Sequence, residues 1–326
     1  MTEREPASVE LARVEEGPSP ELQRLEARAQ EYAQARRAAT TVKRYAADWE
    51  TFQGWTEAHG LDCLPASPRT VANFLAYLAD AGRKVSGINV ALAAIGFYHR
   101  EAGLDWYPGH LEIARTMKGI RRTLGTAQTR KAAISGELLE RMCGSLEPVG
   151  RGLMYRAILT VGWFGALRRK EIVDLAREDL RFEARGERAW MFVRLRRRKT
   201  DQEGAGTDVA ICEQPGSSAC PVRTMRAWLL QSGGGDGPLF HIIDGRSVAL
   251  MVKSVVASVG LDPDDYGGHS LRAGLATTAA AKGRSLAAIM RQTGHASEKM
   301  ALLYIRPSEL TVDNVTEGIL EPGRRR

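Results

Sequence analysis

Two arginines, two histidines and a tyrosine stand in a fixed order along the C-terminal half of this chain. Arg168 comes first, His269 and Arg272 follow with a spacing of three, and His295 precedes Tyr304 by nine residues. Guanidinium groups bind phosphate oxygens through paired hydrogen bonds, histidines transfer protons, and a tyrosine hydroxyl can form a covalent intermediate. The set therefore contains the groups needed to attack a DNA phosphodiester with a phenol and without a metal ion.

Each of these residues also has an ordinary structural interpretation. Arg168 and Glu171 are three apart and could form an ion pair on one helix face. His269 and Arg272 could belong to a plain N-terminal helix turn with a surface arginine. Tyr304 lies in an apolar helical stretch, where a tyrosine is typically a core residue. The order and completeness of the whole set favour a reactive site.

A basic segment upstream supplies a candidate proton donor. Lys199 lies where a predicted strand leads into a turn at Gly204, so its amine could reach over a bound DNA backbone. Arg198 is the competing residue, although a guanidinium is a far poorer proton donor near neutral pH. A solvated, charged hairpin is the alternative interpretation. The cations of this segment are Arg194, Arg196, Arg197, Arg198 and Lys199.

Composition is typical of a globular protein with an anionic partner. Of the 326 residues, 44% are hydrophobic and 26% are charged, and the length favours two domains. Lysine and arginine number 46 against 39 acidic residues, and the net charge of +7 favours a polyanion such as DNA. No apolar run reaches the roughly 20 residues that span a bilayer, and the N-terminus lacks a signal-peptide pattern. We therefore expect a cytoplasmic, nucleoid-associated protein.

The four cysteines give no sign of a metal centre or a disulfide framework. Cys63, Cys143, Cys212 and Cys220 form no Cys-x-x-Cys pair and have no metal-ligand spacing with histidine. We expect reduced thiols in a cytosolic compartment. Neither a metal ion nor another cofactor is predicted.

The N-terminal half carries helical periodicity and no strand pattern. Residues 1–20 are rich in Glu, Pro and Ser, which predicts disorder. Apolar residues then recur at helical spacing, so we predict an all-helical domain over 21–123 and a linker over 124–133. Cations project from two of the predicted helices and from the linker: Lys43, Arg44, Lys118, Arg121, Arg122, Arg130 and Lys131.

The second half combines helices with a short stretch of period-two alternation. Residues 190–196 and 207–211 alternate apolar and polar side chains, with a turn at Gly204 and an earlier hairpin turn at Gly186. Helical patterns lie on both sides of this stretch. The sequence therefore predicts a mainly α fold with a small antiparallel β-sheet.

Together these residues resemble the tyrosine recombinases, the phage-integrase class of site-specific recombinases. The family pattern is an arginine in a Leu-Arg-x-x-Glu turn, a β-hairpin lysine, His-x-x-Arg, Gly-His or Gly-Trp, and then a tyrosine. Glu171 matches the supporting acidic position, and the likeness extends over about residues 40–310. The pattern positions are filled, in order, by Arg168, Lys199, His269, Arg272, His295 and Tyr304.

The resemblance implies how a phosphate would be held. Arg168 and Arg272 would bind the non-bridging oxygens of the scissile phosphate, and His295 would add a further hydrogen bond there. Glu171 would help to orient the site. The charge of the phosphate would be balanced by these side chains, without a metal ion.

The resemblance also implies how the bond would be exchanged. Tyr304 would attack the phosphorus and leave a 3′-phosphotyrosine bond, with His269 accepting the phenolic proton. Lys199 would protonate the departing 5′ oxygen. Rejoining would reverse these steps with the 5′ hydroxyl of a partner strand, so the reaction needs no ATP.

For the whole protein, the resemblance implies a two-domain clamp on duplex DNA that carries specific recombination sites. An N-terminal SAM-like helical core-binding domain would be joined to a C-terminal α+β DNA breaking-rejoining domain over 134–307. Four protomers would form the synaptic complex, and accessory DNA-bending proteins are possible partners.

The tail over 308–326 would dock on a neighbouring protomer, with packing on its own domain as the alternative. The apolar residues of the tail are Leu310, Val312, Val315 and Ile319. The expected DNA contacts are Arg198 and the cations of the predicted helices and linker, namely Lys43, Arg44, Lys118, Arg121, Arg122, Arg130 and Lys131.

Two other functions remain open on the same residues. Type IB topoisomerases use the same set of groups to relax supercoils, but the helical N-terminal half resembles the recombinase clamp instead. A DNA-binding regulator could keep the fold without cleavage, but the complete set of reactive residues disfavours it.

Overall fold

The computed structural model describes residues 19–36, 38–126, 131–198, 204–242 and 244–309, and for 33–35 and 304–309 it describes the backbone alone. Within these ranges the chain forms thirteen α-helices and one three-stranded antiparallel sheet. The predicted fold class, mainly α with a small antiparallel sheet, is confirmed. The predicted disordered N-terminus and most of the C-terminal tail lie outside the described residues. The chain divides into two compact units, Met1–Gln128 and Thr129–Arg326.

The first unit is built from five helices around an aromatic and aliphatic core. Ser19 and Ser67 begin two of them, because each serine hydroxyl accepts a hydrogen bond from a first-turn amide ahead of a proline-led helix. The apolar positions of the sequence pattern form the core, where Phe52, Phe74 and Ile88 are fully buried. The helices are α1 Pro20–Ala35, α2 Ala39–Ala58, α3 Pro68–Asp80, α4 Val85–Glu101 and α5 Leu111–Leu124.

The second unit surrounds a larger core and carries the sheet. The period-two pattern holds in the central strand, where Met191, Val193 and Leu195 are buried while Arg194 is exposed. One face of the sheet therefore packs on helices. The elements are α6 Gly136–Gly144, α7 Gly150–Phe164, α8 Arg169–Val173, β1 Leu180–Arg185, β2 Arg188–Leu195, β3 Thr207–Cys212, α9 Pro221–Gln231, α10 Gly245–Ser258, α11 Ser270–Ala281, α12 Leu286–Thr293 and α13 Glu298–Glu309.

A close helix contact fixes α11 against the end of α7. Trp163 donates a hydrogen bond from Nε1 to the carbonyl oxygen of Ile134 at 2.8 Å. A β-carbon at Gly274 would lie only 1.9 Å from that same oxygen and 2.6 Å from Nε1. Glycine at this position therefore lets α11 approach the end of α7. In the described part of the chain, no helix is long and apolar enough to cross a bilayer.

Candidate active site

In the turn between α7 and α8, the side chain of Glu171 fixes the position of Arg168. Arg168 precedes α8 with an extended backbone, so the two residues are a helix cap and its partner rather than neighbours on one helix face. The Glu171 carboxylate accepts from the backbone N–H of Arg168 at 2.8 Å and from its Nη1 at 2.6 Å. Glu171 is buried. One carboxylate therefore fixes both the backbone and the guanidinium of Arg168.

Arg272 reaches back to the same turn from the first turn of α11. Its Nη1 donates to the carbonyl oxygen of Ala166 at 2.7 Å, and the residue is only 3% exposed. Ala166 has φ of 48°, in the left-handed region that disfavours a β-carbon. This constrained turn holds a carbonyl acceptor two residues before Arg168. The two arginines that the sequence placed far apart are thereby brought together.

His295 lies directly after α12 among three guanidinium groups. Its Nδ1 is 2.9 Å from Oγ1 of Thr293, which orients the ring. The pKa of His295 is lowered to about 4, first by burial and then by the positive charges of Arg272, Arg168 and Arg198. The imidazole is therefore neutral near pH 7.

Arg198 is the third guanidinium, and it does not lie on the surface where a DNA contact was expected. The residue is 5% exposed, and its Nε lies 3.7 Å from Oε1 of Glu171. A β-carbon at Gly294 would lie 2.3 Å from its Nη1, so the guanidinium fills the space that another residue type would occupy. The reason is that β2 ends at Leu195, so the alternation that would turn residue 198 outward stops before it.

The other predicted reactive residues are His269, Tyr304 and Lys199. His269 is exposed and occupies the N-cap position of α11, three residues before Arg272. Tyr304 belongs to α13, which packs against α11 and α12. The side chain of Tyr304 and the whole of Lys199 lie outside the described residues, so their predicted positions stay predictions.

Arg169 supports the start of α11. A β-carbon at Gly268 would lie 2.0 Å from its Cδ, and one at Gly245 would lie 3.1 Å from its Cβ. Arg169 is partly buried. Its stem therefore packs against the residue that directly precedes His269.

The predicted DNA-contact residues of the first unit lie on α2 and α5. Lys43 is exposed, whereas Arg44 donates from Nε to Oδ2 of the buried Asp48 at 3.0 Å. Arg121 donates to Oδ1 of Asn89 at 3.2 Å. Lys118, Arg121 and Arg122 are exposed on α5, as is Arg115.

The predicted linker contributes one described cation. Lys131 is exposed, and its amine donates to the carbonyl oxygen of Asp264. Arg130 lies outside the described residues. Any DNA contact by Lys131 would therefore compete with this hydrogen bond.

The described residues contain no metal cluster, and the thiol of Cys143 is unreactive. No three His, Cys, Asp or Glu side chains in these ranges come close enough together to hold a metal ion. All four cysteines are free thiols, and burial raises the pKa of Cys143 to about 12. That thiol is therefore protonated and unreactive near neutral pH.

The chemistry that the pocket supports is anion binding. Arg168 and Arg198 share one carboxylate, that of Glu171, and Arg272 adds a third guanidinium beside the neutral imidazole of His295. Positive charge therefore exceeds negative charge in a largely buried place, where electrostatic interactions are strong. Planar guanidinium forks match the oxygens of a phosphate group.

The comparisons with known proteins identify the family of the chain. Residues 30–103 match the family model of the phage integrase N-terminal SAM-like domain. An integrase/recombinase XerD homolog from Selenomonas ruminantium is 35% identical over 307 residues, which cover 90% of this chain and 89% of that protein. The chain belongs to the tyrosine recombinase family.

Solved structures share the fold at low identity. The XerH site-specific recombinase bound to palindromic difH substrate has a TM-score of 0.56 and 16% identity, with 74% of this chain and 69% of that chain covered. A lambda integrase dimer bound to a COC′ core site has a TM-score of 0.55 and 14% identity, with 86% and 75% covered.

Proposed function

We propose that the protein is a site-specific DNA recombinase that cleaves and rejoins duplex DNA through a 3′-phosphotyrosine intermediate. The observation that carries this proposal is the convergence of Arg168, Arg272 and His295 in one cationic pocket. The likeness to the XerD homolog over most of the chain supports it. The helical unit would bind DNA, and the second unit would carry the reaction.

In the first step the pocket would hold the scissile phosphate. Arg272 lies on α11 and Arg168 in the turn before α8, so two guanidinium forks would approach the anion from different elements. The neutral ring of His295, oriented by Thr293, would add a hydrogen bond to a non-bridging oxygen. Glu171 keeps Arg168 in place through its 2.6 Å contact. Preorganised donors of this kind stabilise the charge that develops during reaction.

In the second step the bond would be exchanged. The phenolic oxygen of Tyr304 would form a bond to phosphorus while the bond from phosphorus to the 5′ oxygen breaks. His269 would accept the phenolic proton, and Lys199 would give a proton to the departing oxygen. Because the phosphotyrosine bond conserves the energy of the phosphodiester, attack by a 5′ hydroxyl can reverse the step without ATP.

Partners follow from the same chemistry. The neighbouring structures hold a XerH recombinase on difH DNA and a lambda integrase dimer on a core site. By analogy this protein would bind duplex recombination sites and exchange strands within a homotetramer, with accessory DNA-bending proteins as further partners. The C-terminal tail would dock on a neighbouring protomer, since its residues alternate apolar and polar at helical spacing.

The decisive experiment traps the covalent intermediate. Wild-type protein is incubated with a nicked duplex that carries its recombination site, and protein–DNA adducts are counted on a denaturing gel. We expect an adduct with wild-type protein and none with Tyr304→Phe, because the variant lacks the attacking oxygen. Tyr107→Phe is the matched control, since Tyr107 is an exposed residue of the first unit, and it should form the adduct. An adduct with Tyr304→Phe, or none with wild type, contradicts the proposal.

A further inference from the structure

We infer that Arg198 is a positioning residue of the reaction: its buried charge strengthens the pocket at the moment of attack without itself contacting the phosphate. The inference rests on the proposed function and extends it to a residue outside the family pattern. Three observations carry it, namely its burial, its incomplete pairing and the charge balance of the pocket.

The first observation is where the guanidinium is held. The Arg198 side chain is 3% exposed and lies between the Glu171 carboxylate and Gly294. It therefore touches the chain segments that position Arg168 and His295. It also directly precedes Lys199 in the sequence. A side chain in this place links three segments that carry the proposed reactive groups.

The second observation is that Arg198 is poorly compensated. Its Nε and Nη2 are buried and have no hydrogen-bond partner within the described ranges. Burial accordingly lowers the pKa of the guanidinium, although arginine stays charged at neutral pH. A buried, partly unpaired cation opposes folding, and a well-packed apolar side chain often stabilises the same place. A buried cation of this kind calls for a functional explanation, here the positive charge that it adds to the pocket.

The third observation is the balance of charge. Glu171 pairs closely with Arg168 at 2.6 Å but only loosely with Arg198 at 3.7 Å. Arg272 and Arg198 thus supply most of the positive excess. A phosphodiester brings one negative charge, and attack by a phenolate brings a second. Arg168, Arg272 and His295 would hold the bound phosphate, so the charge of Arg198 would act mainly on the attacking state.

The test separates charge from shape. Arg198→Met keeps a long apolar stem without the charge, and Arg198→Lys keeps the charge without the planar fork. Arg197→Met removes a neighbouring exposed cation and is the matched control. Single-turnover cleavage of the nicked duplex, site affinity and thermal unfolding are measured for each variant.

We expect Arg198→Met to cleave about 100-fold more slowly, with site affinity near the wild-type value and an equal or higher Tm. Arg198→Lys should recover at least part of the rate, and Arg197→Met should cleave like the wild type. Wild-type cleavage by Arg198→Met would overturn the inference. So would a lower Tm with equal loss of rate in Arg198→Met and Arg198→Lys, because that result indicates a packing role. If wild-type protein forms no adduct at all, the proposed function fails instead.

Discussion

The arginines of the second unit and the cations of the first unit illustrate two uses of positive charge. Arg198 and Arg272 are almost fully buried: Arg198 lies beside the Glu171 carboxylate, Arg272 donates to a backbone carbonyl, and the charges of both act on His295. Lys43 and Lys118 are exposed on helix surfaces. The first pair is fixed by the fold before any ligand arrives, whereas the second pair is surrounded by water and salt.

Because of this difference, the rate of DNA cleavage and the affinity for DNA should depend on different residues. Electrostatic interactions are much stronger in a buried pocket than in water, so a single guanidinium there can change a rate greatly. Exposed cations bind the DNA backbone additively, and salt screens them. Variants of the two groups should therefore change different measured quantities.

The largest effect is expected from Arg272→Ala. Loss of this guanidinium removes a donor to the phosphate, so single-turnover cleavage should fall by about 1,000-fold. Site affinity, measured by mobility shift, should stay close to the wild-type value, because many other contacts hold the DNA. Arg291→Ala on the exposed face of α12 is the control. Equal losses of affinity and cleavage would remove the distinction between the two groups of charges.

A smaller effect is expected from Gly294→Ala, which displaces a buried charge without deleting one. Both Gly294 and Gly283 have left-handed backbones, with φ of 66° and 69°, so alanine strains each by about 1 kcal/mol. Only at Gly294 would the new methyl group meet Arg198, at 2.3 Å, while Gly283 faces open space. Gly294→Ala should therefore lower Tm and cleavage more than Gly283→Ala. Identical behaviour would mean that the Arg198 contact is unimportant.

The smallest effects are expected from Lys43→Ala and Lys118→Ala. Each should weaken DNA binding modestly and reduce the slope of log affinity against log salt by about 1. Cleavage at saturating DNA should be unchanged. Arg28→Ala is the control, because Arg28 already pairs with Glu31 at 2.7 Å. An unchanged salt slope in both lysine variants would show that the DNA surface lies elsewhere on the first unit.

Much of the fold could be predicted because its elements follow strong periodic patterns. The alternation around Val193 and Val209 indicated the strands, and the structure pairs these two residues across β2 and β3. Apolar spacing indicated helices on both sides of these strands, and the structure has α8 before them and α9 after them. Local hydrophobic pattern and burial agree in these segments, so no distant residue was needed to recognise them.

The arrangement of the pocket could be predicted only in part. The pattern of reactive residues named Arg168 and Arg272, but it did not show that a strained turn at Ala166 joins them. Arg198 was hidden in a run of cations whose exposure a single sequence cannot distinguish. Its burial depends on where β2 ends and on the space beside Gly294, and those features arise from tertiary packing.

The neutral imidazole of His295 has one more consequence, for spectroscopy. Its pKa of about 4 depends partly on three nearby guanidiniums, so removal of any one should raise that value towards the usual 6.5. The chain has only six histidines. An NMR titration of isotope-labelled His295 would thus report the electrostatic potential of the pocket before DNA is added.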